Sequence, residues 1–188
     1  MRKRQMRVQA IPAAALACLF ATTALAQSAL KIGVLLPMTG VFAPIGKEQL
    51  NGMQIAVEEA GEAVAGRKIE LVVEDSEAKP DVGLNKARKL VLSDRVDAMA
   101  GIVSSAVALA VAPYTSAQKM PLVISNAGTN LLSGEKCDRY IFRAAYSSAQ
   151  AGAPMGTWLA KQGVKNIFIL PRISSRLTNL WRRSKMPM

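Results

Sequence analysis

The chain has 188 residues, 24 of them basic and 13 acidic, with two cysteines and no histidine, a length that suits one domain of the usual ~100–200 residues. Without histidine there is no Ser-His triad, no imidazole proton transfer and little prospect of a catalytic zinc. The net charge of +11 belongs to the ends: four basic residues lie in positions 1–26 and five in 172–188, leaving 15 against all 13 acidic ones, so the middle implies no basic face for nucleic acid.

Taken in chain order, Met1 to Ala26 carries Arg2, Lys3, Arg4 and Arg7, then an apolar run from Ala10 to Ala21, then Ala24-Leu25-Ala26. That is the order of a secretory signal peptide, whose apolar run of ~7–15 residues is too short to span a bilayer. Cleavage after Ala26 and export to the periplasm are expected, with a buried N-terminal helix as the bland alternative. Cys18 lacks the leucine three residues earlier that a lipoprotein cysteine usually has, since Ala15 stands there. The mature chain then keeps Cys137 alone, and one thiol makes no internal disulfide.

Beyond the signal, apolar β-rich runs alternate with segments of helical period, the pattern of an α/β fold with a doubly wound parallel sheet. Strands are predicted at Lys31–Leu36, Ile69–Glu74, Ala98–Val103, Leu122–Ser125 and Asn166–Leu170. A first helix is read from Leu50, Met53, Val57 and Ala60, stopped by Gly61. A second starts at Pro80-Asp81 with Leu84, Ala87 and Val91 facing inward. The third begins at Ser104-Ser105, with Pro113 expected to kink it or end it early. The fourth covers Ala149 to Gln162. From Pro171 onward no acidic residue and no sustained apolar period appears, so a reading-frame shift or truncation is expected there in preference to a genuine basic tail.

In an open parallel sheet, ligands sit in the crevice beyond the carboxyl ends of the strands, so the polar clusters that follow each strand carry the functional interest. Gly40 to Lys47 imitates a phosphate loop but has five residues between its glycines, where four are needed, and Glu48 where a magnesium-binding hydroxyl belongs. A loop passing close to a ligand, or a plain turn, remains. No G-x-G-x-x-G follows any strand. Asp75-Ser76 offers a carboxylate, which at a strand end is more often a cap. Ser104-Ser105 places two hydroxyls at a helix amino end, ready for a carboxylate or simply capping the helix. Ser125 to Asn130 on the next strand end adds a threonine and turned carbonyls, which accept from an ammonium.

Together these segments resemble the periplasmic substrate-binding proteins of ABC transporters for branched-chain amino acids. The resemblance is carried by Ile32 to Gly40, Asn51-Gly52-Met53 through Ala60, Leu71 to Asp75, Ser104-Ser105 through Pro113, Ser125 to Asn130 and Tyr140 to Arg143. It implies a type I periplasmic-binding fold, a two-lobed clamp that closes on a small solute, with a membrane permease as partner, no cofactor and no catalytic residue. By position, Ser104 or Ser105 would bind the ligand carboxylate. Ala127, through its backbone, and Thr129 would hold carboxylate and ammonium, and the loop from Phe42 to Gly46, with Phe42 and Ile45, would flank the ligand side chain. Residues 27–147 would form the N-terminal lobe, 148–170 the first helix and strand of the second, and 171–188 a basic tail outside the family pattern. Half a clamp desolvates its ligand poorly, so no micromolar affinity is expected of these 188 residues. A ligand-sensing domain of a receptor or regulator shares the fold and is the alternative; an enzyme is disfavoured.

Overall fold

The computed structural model describes residues 28–168. The signal segment and the tail 171–188 lie outside the described residues. The strands are β1 (Leu30–Leu36), β2 (Ala63–Val64), β3 (Arg67–Asp75), β4 (Ala98–Gly101), β5 (Leu122–Ile124) and β6 (Ile141–Arg143); the helices are α1 (Ala43–Glu59), α2 (Pro80–Leu92), α3 (Ser105–Ala117) and α4 (Ser148–Lys161). The strands form one sheet in the order β2-β3-β1-β4-β5-β6, in which only β2 is antiparallel to its neighbour.

The winding follows from this order. From β1 the chain passes through α1 to β3 on one side, returns through α2 across β1 to β4 on the other, and continues through α3 to β5. The direction of winding thus reverses between β1 and β4, and their carboxyl ends flank the crevice of a doubly wound sheet.

Alternation along β1 divides the core. Leu35 joins Met99, Leu122 and Ile124 beneath α2 and α3, with Ala87, Leu90, Val107, Ala108 and Val111 from the helices. Val34 and Leu36 point to the other face, where Val103, Leu50, Met53 and Phe42 meet them. That second face is thinly covered among the described residues: Gly46 is the buried residue of α1, and Val73, Val123 and Phe142, which share this face through the register, stay exposed.

Several boundaries differ from expectation. The loop read at Phe42–Gly46 is helical from Ala43, because Pro44 presets the first turn. At the far end Gly61, at φ +71, closes α1 with Gly61 N–H to Glu58 O (2.9 Å) and Glu62 N–H to Val57 O (2.9 Å), the paired bonds of a Schellman cap. The inward stripe of α2 is rotated to Gly83, Ala87 and Leu90, since a side chain at 83 would lie 2.6 Å from Val107 Cγ1 and only glycine lets α2 and α3 close there. Pro113 does not end α3. It sits on the exposed side and forfeits one backbone bond, while the buried Thr115 hydroxyl donates to Ala112 O at 3.0 Å and the buried face keeps the helix in place. The strand β2 was not foreseen: Ala65 and Gly66, at φ +51 and +78, form the two-residue turn that folds it onto β3. No strand is present at residues 164–168; nothing described runs beside them to share a ladder, and residues 169–170 lie outside the described residues.

Candidate functional site

The carboxyl edge of the sheet gathers four post-strand segments. The one after β1 runs from Pro37 to Phe42 and is shaped from two sides. Asp75, at the end of β3, accepts the Met38 N–H (2.8 Å) and the Thr39 hydroxyl (2.6 Å), and also the Glu77 N–H of its own turn (2.8 Å). Burial alone would raise this carboxyl, but the Thr39 hydroxyl and the Glu77, Met38 and Thr39 amides outweigh it and hold the group below its ordinary value. Asp75 is thus a structural acceptor. On the other side, α1 meets the segment at Gly46, where a Cβ would fall 2.0 Å from Pro37 O.

The strand expected over Ala98–Val103 stops at Gly101, and the cause is tertiary. Gly101 has φ +115 and Ile102 φ +70, a conformation that a β-branched residue avoids. Ile102 is held in it by its N–H to Leu35 O (2.8 Å) and by accepting the Ala127 N–H (3.0 Å), with its side chain fully buried. This kink turns the chain directly into Val103-Ser104-Ser105.

Ser104 is the N-cap of α3, and its hydroxyl makes no capping bond. The amino end of α3 therefore keeps its unbonded amides and the positive end of its dipole at the rim. Ser104 and Ser105 are half-buried. On the neighbouring segment after β5, Ala127 is buried and Thr129 half-buried. The two segments are stitched together by Ser125 N–H to Gly101 O (2.8 Å) as well as by the Ala127–Ile102 bond. The Ala127 N–H is spent in that bond. Gln49 of α1 accepts from the Ser125 hydroxyl, so α1 also reaches this corner.

Of the residues singled out from sequence, Ser104, Ser105, Ala127 and Thr129 stand on adjacent segments of one rim. Phe42 packs in the cluster under α1, and Ile45 lies in the first turn of α1, partly exposed. The cap reading of Asp75 holds at the Glu77 N–H, its reach to Met38 and Thr39 was not foreseen, and neither were the Gly101-Ile102 kink and Gln49. Beyond Thr129, Gly128 O accepts the Ser148 N–H (2.7 Å) and Asn130 Oδ1 the Ala149 N–H (3.1 Å), which docks the amino end of α4 on the same segment. A Ser147–Gln150 capping box starts that helix, none of whose residues is buried.

A concavity lined by Gln54, Val57, Glu58, Glu62, Ile69 and Leu71 opens between α1 and the amino-terminal half of β3, at the opposite end of the strands. Its two glutamates make it a poor host for an anion. Cys137 is an exposed free thiol. Among the described residues no group of acidic, cysteine or histidine side chains is arranged to hold a metal, and no helix is long and apolar enough to cross a membrane.

The chain is similar to known binding proteins. The model of a family described as periplasmic binding protein matches residues 29–172. The chain is 29% identical over 163 residues to Leu/Ile/Val-binding protein homolog 6 of Brucella abortus, covering 86% of this chain and 41% of the relative. Among solved structures it is 35% identical, at TM-score 0.69, to a solute-binding protein of an ABC transporter from Rhodopseudomonas palustris BisB5 in complex with 3,4-dihydroxybenzoic acid, covering 73% of this chain and 37% of that one. It is 32% identical, at TM-score 0.66, to a leucine-binding protein from Thermotoga maritima, covering 71% and 37%. The chain thus spans less than half the length of these relatives, which are binding proteins and not enzymes. With its reversed winding between β1 and β4 and a family match over most of its length, the chain belongs to the periplasmic binding proteins and carries their type I fold.

Proposed function

We propose that this chain supplies one wall of an extracytoplasmic solute-binding site that delivers a small carboxylate to the membrane permease of an ABC transporter. The observation that carries the reading is the uncapped amino end of α3 at the winding reversal, where the Ala127 N–H to Ile102 O bond joins it to the post-β5 segment that also carries Thr129. Ser104, Ser105 and the open amides suit a carboxylate. Ala127 O and Thr129 suit a donor such as an ammonium, and Phe42 and Ile45 stand on the α1 side of the crevice for an apolar portion. Residues 27–147 act as the first lobe, and α4 begins the second, a division supported by the absence of any buried residue in α4. Export to the periplasm fits the family and the N-terminal signal pattern.

Both an amino acid and an aromatic acid fit this rim. The carboxylate donors serve either, and one similar structure holds 3,4-dihydroxybenzoic acid while another is named leucine-binding. One wall leaves the ligand half in water, so affinity is in the millimolar range and calorimetry at micromolar concentrations is silent. Thermal unfolding with L-leucine, sodium benzoate and the matching amide, leucinamide or benzamide, in which an uncharged carboxamide replaces the carboxylate, tests the reading. At ten times the Kd, binding stabilises by about 1.4 kcal/mol, a rise of roughly 3–6 °C for a domain of this size. A rise with one carboxylate and none with its amide is expected. Equal responses to acid and amide, or no response to any carboxylate at 10–50 Kd-equivalent concentrations of about 10–50 mM, would overturn it.

A further inference from the structure

We infer that Asp75 is a positioning residue, a latch that sets the shape of the crevice segment after β1 from the end of β3. The inference rests on the crevice reading for its purpose, not for its geometry. Both oxygens are engaged and each reaches a different part of the rim. Oδ1 accepts from Met38 N–H and Glu77 N–H, and Oδ2 accepts from the Thr39 hydroxyl. The strand ends themselves are already joined by Ser76 N–H to Leu36 O at 2.9 Å, so the carboxylate is not needed to hold β3 beside β1. What it adds is restraint on Met38 and Thr39, the residues that lead to the Gly40 turn, where Ala43 N–H bonds Gly40 O (3.1 Å) and α1 begins. Gly40, at φ +74, has no atom within 4 Å of a would-be Cβ, so no side-chain packing steadies the turn there. The latch thus adds to the Gly46–Pro37 contact and to the packing of Met38 and Phe42 in fixing the segment.

An acceptor at this place is required, and its full charge is not. Asparagine keeps one oxygen for the two backbone amides, and its NH₂ can donate to the Thr39 oxygen. Hydrogen–deuterium exchange of the 188-residue chain and of D75A, D75N and T39V tests this without any ligand. In D75A, peptides covering residues 37–46 are expected to exchange roughly tenfold faster or more, as local opening replaces a charge-assisted bond. Those covering β4 and α3 keep their wild-type rates. D75N restores most of the protection, and T39V loosens residues 39–43 alone. Unchanged exchange at 37–46 in D75A, a uniform increase across β4 and α3, an unfolded D75A, or D75N behaving as D75A would each overturn the inference. Thermal shifts by sodium benzoate and L-leucine on the same variants separate the two claims: faster exchange without any wild-type ligand response fails the crevice reading and leaves the latch standing.

Discussion

Replacing Gly101 with alanine strikes the point on which the rim turns. Two independent costs arise. The backbone at φ +115 is one that an L side chain rarely adopts, which costs about 1–3 kcal/mol for a residue held there. The added Cβ would also lie 2.6 Å from Leu35 O, a backbone atom that cannot swing away and that already accepts the Ile102 N–H. Because Leu35 and Gly101 are register partners, relief means parting β1 from β4 at the crevice, an overpacking cost of about 1–3 kcal/mol. The sum, about 2–6 kcal/mol, is a large share of the ~5–15 kcal/mol that holds a domain together. Gly52→Ala is the internal control: it is an exposed position of α1 with nothing within 4 Å, where alanine gains about 1 kcal/mol of helix propensity. Urea unfolding followed by far-ultraviolet circular dichroism reads both. With a slope of ~2 kcal/mol per molar, the G101A midpoint falls by about 1–3 M and the G52A midpoint rises by about 0.5 M. A G101A midpoint within 0.2 M of wild type would refute the assigned strain.

Three further outcomes are expected. Pro113→Ala restores the N–H that α3 lacks at an exposed position and should stabilise by about 2 kcal/mol, the ~3 kcal/mol propensity gain less the proline's restriction of the unfolded chain; a lower urea midpoint would contradict this. Leu90→Ala, in a fully buried position between α2 and the sheet, should cost about 2–5 kcal/mol, checked in the same unfolding series. Acid should destabilise the fold in a defined window. Glu74 is pushed up by burial, but Lys86 and Lys89 outweigh this and hold it below its ordinary value, as hydrogen bonds hold Asp75. Groups lowered in the folded state stabilise fully above their unfolded pKa and lose that contribution as pH falls through the folded one. The melting temperature should therefore be flat from pH 7 to about 5 and fall below about pH 4, less steeply in E74Q; an unaltered profile in E74Q would remove Glu74 from the explanation.

The sheet was legible because its strands are short apolar runs alternating with segments of helical period, and the rim because polar clusters follow them. What escaped was set by contacts distant in sequence. Ile102 reads as strand, and β-branched residues ordinarily are; only the Leu35 carbonyl and the Ala127 amide hold it in a left-handed turn. Asp75 reads as a cap of its own turn, and only the fold shows that its oxygens also reach Met38 and Thr39. In the α2 stripe Ala87 and Val91 were legible, whereas Gly83 was missed because glycine carries no hydropathy signal, although a Cβ there would meet Val107 of α3. At Asn166–Leu170 the apolar pattern is strand-like, yet a strand exists only through a neighbour, and residues 166–168 have none described.

A small carboxylate bound at the carboxyl rim between β1, β4 and β5 would leave its mark on the amides there. Backbone amide NMR of the labelled chain during titration with L-leucine and with sodium benzoate tests it residue by residue. Saturable shifts at the amides of residues 104–107 and 127–129, with β2 and the α1–β3 concavity unmoved, are predicted. Shifts centred on Glu58 and Glu62, or none at the rim at tens of millimolar ligand, would contradict it.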